Sequence, residues 1–323
     1  MGAGKRWKSQ VSAFTGKAVL VTGGNGFLGS HVMRRLEALE CGYSCPTSKQ
    51  YDLRYEPHCE QLFHNCKPDV VIHLAALCGG IGINQKRPAD FWRENLLMGM
   101  NILELCKRYK VQKLVIVGTT CSYPKFSEIP FKEESLWNGY PEETNAAYGI
   151  AKRCLAEGVK AYRQQYGLDS TVLIPTNLYG PGDNFDPETS HIIPAIIKKC
   201  DDNKESLELW GTGTPTRDFL YVEDCADAIL KACEVSNYSE PINLGSGREI
   251  SILEVAKLIS DMMGSGRWIA FDKTKPDGQP RRALDTTRAS MVMGWKASTM
   301  LEYGIRKTID WYLANRETKR QCR

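Results

Sequence analysis

From Lys17 onward, short apolar runs rich in β-branched residues alternate with longer stretches whose apolar positions recur at helical spacing. Lys17–Thr22, Tyr43–Pro46, Val70–Leu74, Lys113–Gly118 and Ser170–Pro175 read as strands. Phe27–Leu39, Pro57–Cys66, Asp90–Tyr109 and Ala147–Tyr166, lying between them, read as helices. Strand–helix alternation of this kind predicts an α/β fold, a doubly wound parallel sheet with helices on both faces. After Pro175 the rhythm breaks. Leu178–Ser190 is rich in turn formers, Ile192–Cys200 reads as a helix, and Asp218–Tyr221 reads as a strand that leads into a helix through Cys233. From Ile252 on, helices and short strands mix, which predicts a smaller, mixed α/β C-terminal lobe. Met1–Phe14 and Glu317–Arg323 read as loose arms.

Composition excludes more than it assigns. The 323 residues are 42% hydrophobic and 25% charged, an ordinary globular balance. A net charge of +4, with the basic residues scattered, gives no footprint for nucleic acid. The runs Val70–Cys78 and Leu114–Gly118 are too short to span a bilayer. Met1–Ser12 is polar and basic, and Arg6 stands where a myristoylation signal wants Ser or Thr, so no leader, anchor or membrane partner is expected. Twelve cysteines without a Cys-x-x-Cys pair suit free thiols in a reducing cytoplasm, and no metal site is expected.

The candidate chemistry begins at the first strand–helix junction, which satisfies both Gly24-x-Gly26-x-x-Gly29 and Gly23-x-x-Gly26-x-x-Gly29. Glycines there allow a tight turn and let the backbone approach a pyrophosphate, which then sits on the amides of the following helix. An ordinary glycine-rich turn would not need that placement, so the junction predicts a Rossmann-type dinucleotide site. The expected division is 1–176 for the dinucleotide-binding domain, with 217–246 returning to it, and 177–323 for the substrate domain. An NAD site usually has an acid at the end of the second strand, to hold the ribose hydroxyls. This chain has Pro46-Thr-Ser-Lys49 there, so Ser48 and Lys49 suit a 2′-phosphate and the expected cofactor is NADPH/NADP+. Asp52 could accept from the adenine amino group. Asn25, Phe27, Leu28, Leu53, Leu74, Ala75, Ala76, Pro175, Asn177, Leu178 and His191 complete the expected cofactor-binding set.

Tyr148 and Lys152, four residues apart, share one helix face. The lysine ammonium is expected to lower the phenol's pKa and to reach the nicotinamide ribose. Thr119, after the fourth strand, can hydrogen-bond the carbonyl oxygen that Tyr148 would protonate. Cys121, two residues on, and His191 could act as base and acid beside that carbonyl. The alternatives at this point are a small buried thiol and a satisfied polar histidine.

The whole pattern resembles the GDP-L-fucose synthase family of extended short-chain dehydrogenases/reductases, which are GDP-4-keto-6-deoxy-D-mannose 3,5-epimerase/4-reductases. The matching stretches are the run His73–Asn84 with its Gly-Gly-Ile-Gly, Cys121–Pro124, Tyr148–Lys152, Pro175–Phe185, Ser190–Pro194, the Trp210-Gly-Thr-Gly-Thr-Pro run and Lys275–Arg281. The resemblance implies Thr119, Tyr148 and Lys152 as the reductase set and Cys121 with His191 as the epimerase pair. It implies Asn177 near the sugar, with Lys199, Trp210, Arg217 and Arg282 holding the guanine nucleotide and its diphosphate. It also implies a homodimer built through two helices per subunit. Two positions depart from the family: Asn25 stands where a basic residue is common, and Thr119 replaces the usual serine. Phe126–Thr144 also differs, so a GDP-colitose or GDP-heptose type of sugar is an alternative substrate. A GDP-mannose 3,5-epimerase-like enzyme is a further alternative, and a non-enzymatic NADP-binding sensor the remotest.

Overall fold

Val19 and Val21 point to one side of the first strand and Leu20 to the other, and that alternation decides where the helices go. The computed structural model describes residues 14–39, 41–187, 189–264, 266, 268–275 and 277–320. Its larger sheet is built in chain order from β1 (Ala18–Thr22), α1 (Phe27–Ala38), β2 (Gly42–Ser44), α2 (Glu56–Cys66), β3 (Val70–His73), α3 (Ile81–Lys86), α4 (Pro88–Arg108), β4 (Lys113–Val117), α5 (Ala146–Tyr166) and β5 (Ser170–Pro175). The chain continues through β6 (Asn177–Tyr179), α6 (Ile192–Asp202), β7 (Ser206–Trp210), β8 (Thr216–Tyr221), α7 (Val222–Glu234) and β9 (Ile242–Leu244). It ends with β10 (Glu249–Ser251), α8 (Ile252–Met262), β11 (Trp268–Asp272), β12 (Arg281–Arg282), α9 (Thr287–Met293) and α10 (Leu301–Arg320).

The six-stranded sheet has the order β2-β1-β3-β4-β5-β9, and every pairing is parallel. On one face Leu20, Val71, Leu114, Ile116 and Val172 meet Leu62 and Phe63 of α2, Ile102 and Leu105 of α4, and Leu155 and Val159 of α5. On the other, Val19, Val21, Val70, Ile72 and Val115 meet Val32 and Leu36 of α1, Ile229 of α7 and Met293 of α9. Each fully buried aliphatic side chain of this kind contributes about 1.5–3 kcal/mol, so the strand alternation dominates the packing. The helices α4 and α5 approach closely because Gly99 has no side chain: a Cβ there would lie 2.4 Å from Leu155.

The second lobe surrounds β8, which pairs antiparallel with β10 and parallel with β12 and β6, while β7 and β11 form a separate parallel pair. Within 217–246, β8 belongs to this small sheet, whereas α7 packs on the large sheet and β9 forms its edge. Two expectations about the ends need correction. Phe14, expected in a loose arm, is 2% exposed and buried with Val19 and Val32, because a turn returns the Lys17 amide to its carbonyl. At the other end α10 runs on through Arg320. Residues 1–13 and 321–323 lie outside the described residues.

Candidate active site

A single cleft of ≈ 1150 Å³ runs from the glycine turn, past the ends of β3, β4 and β5, to the small sheet. It opens between β1 and β3, where the strand order reverses, the usual ligand position in an open parallel sheet. Gly23 and Gly29 leave no room for a side chain. Gly23 has φ +73°, a Cβ on it would lie 2.6 Å from the Ala75 amide nitrogen, and one on Gly29 would lie 2.2 Å from the Gly23 carbonyl oxygen. Helix α1 starts at Gly26 without a side-chain cap, and Asn25, Gly26, Phe27, Leu28 and Gly29 line the cleft. Uncapped first-turn amides beside this tight glycine turn fit a pyrophosphate. Leu53, Leu74, Ala75, Ala76, Pro175, Asn177 and Leu178 line the same cleft.

The adenosine end differs from expectation. Ser48 lines the cleft beside Thr47, but Lys49 is not among its lining residues. The chain turns at Thr47, whose carbonyl accepts from the amides of Gln50 and Tyr51, and Lys49 sits exposed on that turn. Arg54, which sequence reasoning missed, does line the cleft. It ties up Asp52 through Nε and Nη2, at 2.8 and 2.6 Å, and holds that carboxyl below the usual carboxylate range. Glu94 takes the other side of the guanidinium at 3.1 Å. The Asp-x-Arg spacing was the available signal.

At the centre, the turn after β4 and the start of α5 are locked together. The Thr119 hydroxyl accepts from the Cys121 amide at 3.2 Å and caps a short 3₁₀ turn over Thr120–Ser122. Ser122 Oγ donates to the Gly149 carbonyl at 2.9 Å, and Arg153 Nε donates to the Ser122 carbonyl at 2.8 Å. Gly149 must be glycine, since a Cβ would lie 2.1 Å from the Cys121 carbonyl oxygen. These contacts bring Thr119, Cys121 and Tyr148 to one wall, with Phe91 edge-on to the Tyr148 ring at 6.0 Å.

The electrostatics reverse one expectation. Burial pushes the Tyr148 phenol well above its usual value, the Cys78 and Cys121 thiols add to the rise, and only the hydrogen bond to Thr119 opposes it. Lys152 is not among the groups that lower it, and its Nζ donates to the Val117 carbonyl at 3.0 Å. Burial brings the Lys152 ammonium down to about 8 from 10.5. That gap corresponds to about 3 kcal/mol of stability lost at neutral pH. Below pH 8 the lysine is protonated both folded and unfolded, so the cost is full. Between pH 8 and 10.5 the folded protein releases its proton first and the cost fades. Lys152→Met is therefore expected to raise the unfolding free energy at pH 7 by about 1–2 kcal/mol, after the loss of the Val117 bond is deducted. The gain should shrink by pH 10. Denaturant melts at the two pH values check it, and a variant less stable at pH 7 would contradict it.

His191 caps α6 without a side-chain bond to that helix and lies open to the cleft. Enclosure by the cleft walls lowers its pKa, keeping the imidazole neutral at physiological pH. At the far end, Arg217 and Arg282 are register partners on β8 and β12. Burial, and then the neighbouring Arg282, bring Arg217 down to about 10. Two adjacent guanidiniums lining a cleft are the arrangement a diphosphate relieves. Arg282 Nη1 also lies 3.9 Å from Cys121 Sγ. Beyond them Trp210 is 60% exposed, with Lys199 and Lys275 ammonium groups 5.9 and 5.6 Å from its ring centre, a flat platform for a base. Sequence reasoning also missed Cys78, Glu142, Asn145, Asp277 and Gln279, all cleft-lining. Among the described residues the cysteines form no disulfide, no three metal-ligating side chains converge, and no helix is long and apolar enough to cross a membrane.

Comparison with known proteins gives the family. Residues 19–245 match the NAD dependent epimerase/dehydratase family. The chain is 41% identical over 304 residues to the GDP-L-fucose synthase of Sinorhizobium fredii, covering 93% of this chain and 96% of that one. It superposes on the GDP-L-fucose synthetase of Naegleria fowleri bound to NADP with a TM-score of 0.84 at 34% identity, covering 94% and 96% of the two chains. A GDP-6-OMe-4-keto-L-xylo-heptose reductase from C. jejuni superposes with a TM-score of 0.87 at 28% identity, covering 93% and 99%.

Proposed function

Because the chain belongs to the NAD dependent epimerase/dehydratase family, and within it to the GDP-L-fucose synthases, we propose that it converts GDP-4-keto-6-deoxy-D-mannose to GDP-L-fucose with NADPH. The observation that carries this reading is one cleft holding a glycine-turn pyrophosphate cradle, a Thr–Tyr–Lys set, a thiol with a neutral imidazole, and an arginine pair. When bound, the cofactor supplies hydride to C4 of the sugar. The Tyr148 phenol gives its proton to O4 as that oxygen gains charge, with Thr119 holding the oxygen in line. Lys152 keeps a positive charge beside them and reaches the nicotinamide ribose. Before reduction, Cys121 and His191 exchange ring protons at C3 and C5, the carbons flanking the ketone. One removes a proton to leave an enolate, and the other returns a proton on the opposite face. Arg217 and Arg282 hold the diphosphate, Lys199 and Trp210 the guanine, and Asn177 the sugar near the nicotinamide. Ser48 and Arg54 take the 2′-phosphate.

The two catalytic groups at Cys121 and His191 favour this over plain reduction of a GDP-heptose. The homodimer is proposed through α4 and α5, where the exposed Trp92 and Met100 of α4 would be covered. The cytoplasm is the proposed location. The deciding experiment is incubation with GDP-4-keto-6-deoxymannose and NADPH in deuterated water, followed by NMR of the product and light scattering of the enzyme. The expected result is GDP-fucose labelled at C3 and C5, from a particle of twice the chain mass. An unlabelled 6-deoxy product would reduce the activity to a 4-reductase, and a particle of one chain mass would remove the dimer.

A further inference from the structure

Three buried polar atoms around the catalytic groups have no hydrogen-bond partner: Asn145 Oδ1, Asn84 Oδ1 and Ser190 Oγ. All three residues line the cleft. Asn145 stands at the N-cap of α5, where asparagine ordinarily accepts from the helix's first-turn amides. It makes no such bond, and at 8% exposure its carbonyl oxygen is left orphaned. Asn84, 4% exposed, uses Nδ2 on the Gly79 and Gly80 carbonyls, at 2.8 and 3.0 Å, which leaves its own oxygen over. Helix α3, which carries Asn84, packs against the short turn Glu143–Asn145. The Gly80 backbone passes Ser190, since a Cβ on Gly80 would lie 3.8 Å from the Ser190 carbonyl oxygen. The three residues therefore line one side of the cleft, with Asn145 one helical turn before Tyr148 and Ser190 adjoining His191.

A buried acceptor without a donor is costly, and two amide oxygens in one wall call for hydroxyl donors from a ligand. We propose that Asn145, supported by Asn84 and Ser190, accepts the hydrogen bond of the sugar hydroxyl on C3, next to the ketone, and so selects 3-hydroxy over 3-deoxy sugars. This rests on the reading that Tyr148 faces O4 of a GDP-linked 4-keto sugar, because the residue one turn earlier on the same helix face then lies toward the neighbouring carbon. A site built to bond a substrate hydroxyl rejects the analogue that lacks it far more strongly than an apolar pocket would, because its own polar groups are left unpaired.

The test compares NADPH consumption with GDP-4-keto-6-deoxymannose and with its 3-deoxy analogue, in wild type, Asn145→Leu and Asn145→Asp. Leucine keeps the branched four-atom shape without the acceptor and, with no cap bond to lose, leaves the helix start intact; aspartate keeps an acceptor. Wild type is expected to prefer the hydroxylated sugar by about 10²-fold or more in kcat/KM. Asn145→Leu should lower kcat/KM for that sugar by a similar factor and change the 3-deoxy sugar within a few-fold, while Asn145→Asp keeps the preference. An equal fall on both sugars would make Asn145 a structural residue, and no change on either would mean that its oxygen only holds water. Either result overturns the proposal. A wild-type preference for the 3-deoxy sugar overturns it while leaving a GDP-4-keto-sugar reductase in place. Turnover of neither sugar defeats the functional reading and this inference with it.

Discussion

Tyr148→Phe is expected to lower the rate of NADPH oxidation by about 10²–10⁴-fold, the range typical of losing a positioned proton donor. Proton exchange at C3 and C5 should continue. The substitution removes one oxygen from a ring held by Phe91 and the cleft wall, so the surrounding packing, including Gly149 against the Cys121 carbonyl, survives. On the proposed mechanism, what disappears is the acid that neutralises O4. Burial holds that phenol protonated across the neutral range, so it is already charged with the proton it must give. The pH dependence should then belong to another group. Lys152, at about 8, loses its ammonium first, so kcat/KM for reduction should be level below pH 8 and fall above it. Stopped-flow oxidation of NADPH, alongside NMR exchange in deuterated water, separates the two half-reactions. Loss of both together in Tyr148→Phe would mean that the phenol also serves the epimerisation.

The reversed direction of the Tyr148 shift separates what the sequence carries from what only the fold sets. Strand alternation such as Val19-Leu20-Val21 is a period-two signal set by the pleat, so the large sheet and its helices could be read directly from the chain. The glycine turn could be read because sterics allow nothing else there. Tyr148, Lys152 and Thr119 reach the cleft because a helix start and a strand end are local features. The direction of the Tyr148 shift was not legible. A four-residue spacing fixes a common face but not where an ammonium points, and Lys152 turns to Val117 while burial, a property of the whole fold, sets the phenol. Lys49 missed the cleft for a related reason, since a turn two residues long decides which side chains point outward. Strands of two or three residues such as β12 and β6 have no period to read, and their pairing to β8 comes from long-range closure. The orphaned oxygens of Asn84 and Asn145 leave no sequence signature at all, because a missing partner is visible only in three dimensions.

Cys121→Ser should suppress exchange at C3 and C5 by at least about 10²-fold, the usual loss when a general base is removed. It should spare hydride transfer to any 4-keto sugar that already has the product configuration. The replacement is small and its backbone stays pinned, by the amide bond to the Thr119 hydroxyl and by Gly149 packed against its carbonyl. The chemistry changes because a thiol ionises far more readily than a hydroxyl, and serine cannot serve as the base at neutral pH. The Arg282 guanidinium lies 3.9 Å from the sulfur, a contact the smaller hydroxyl would not reach as closely. A second thiol makes the experiment discriminating, because Cys78 also lines the cleft and lies near enough to raise the Tyr148 phenol. Cys78→Ser is the matched control and should leave exchange within a few-fold of wild type. Exchange that survives Cys121→Ser but vanishes in Cys78→Ser would move the base across the cleft, and exchange that survives both would leave His191 as the sole proton-transfer group.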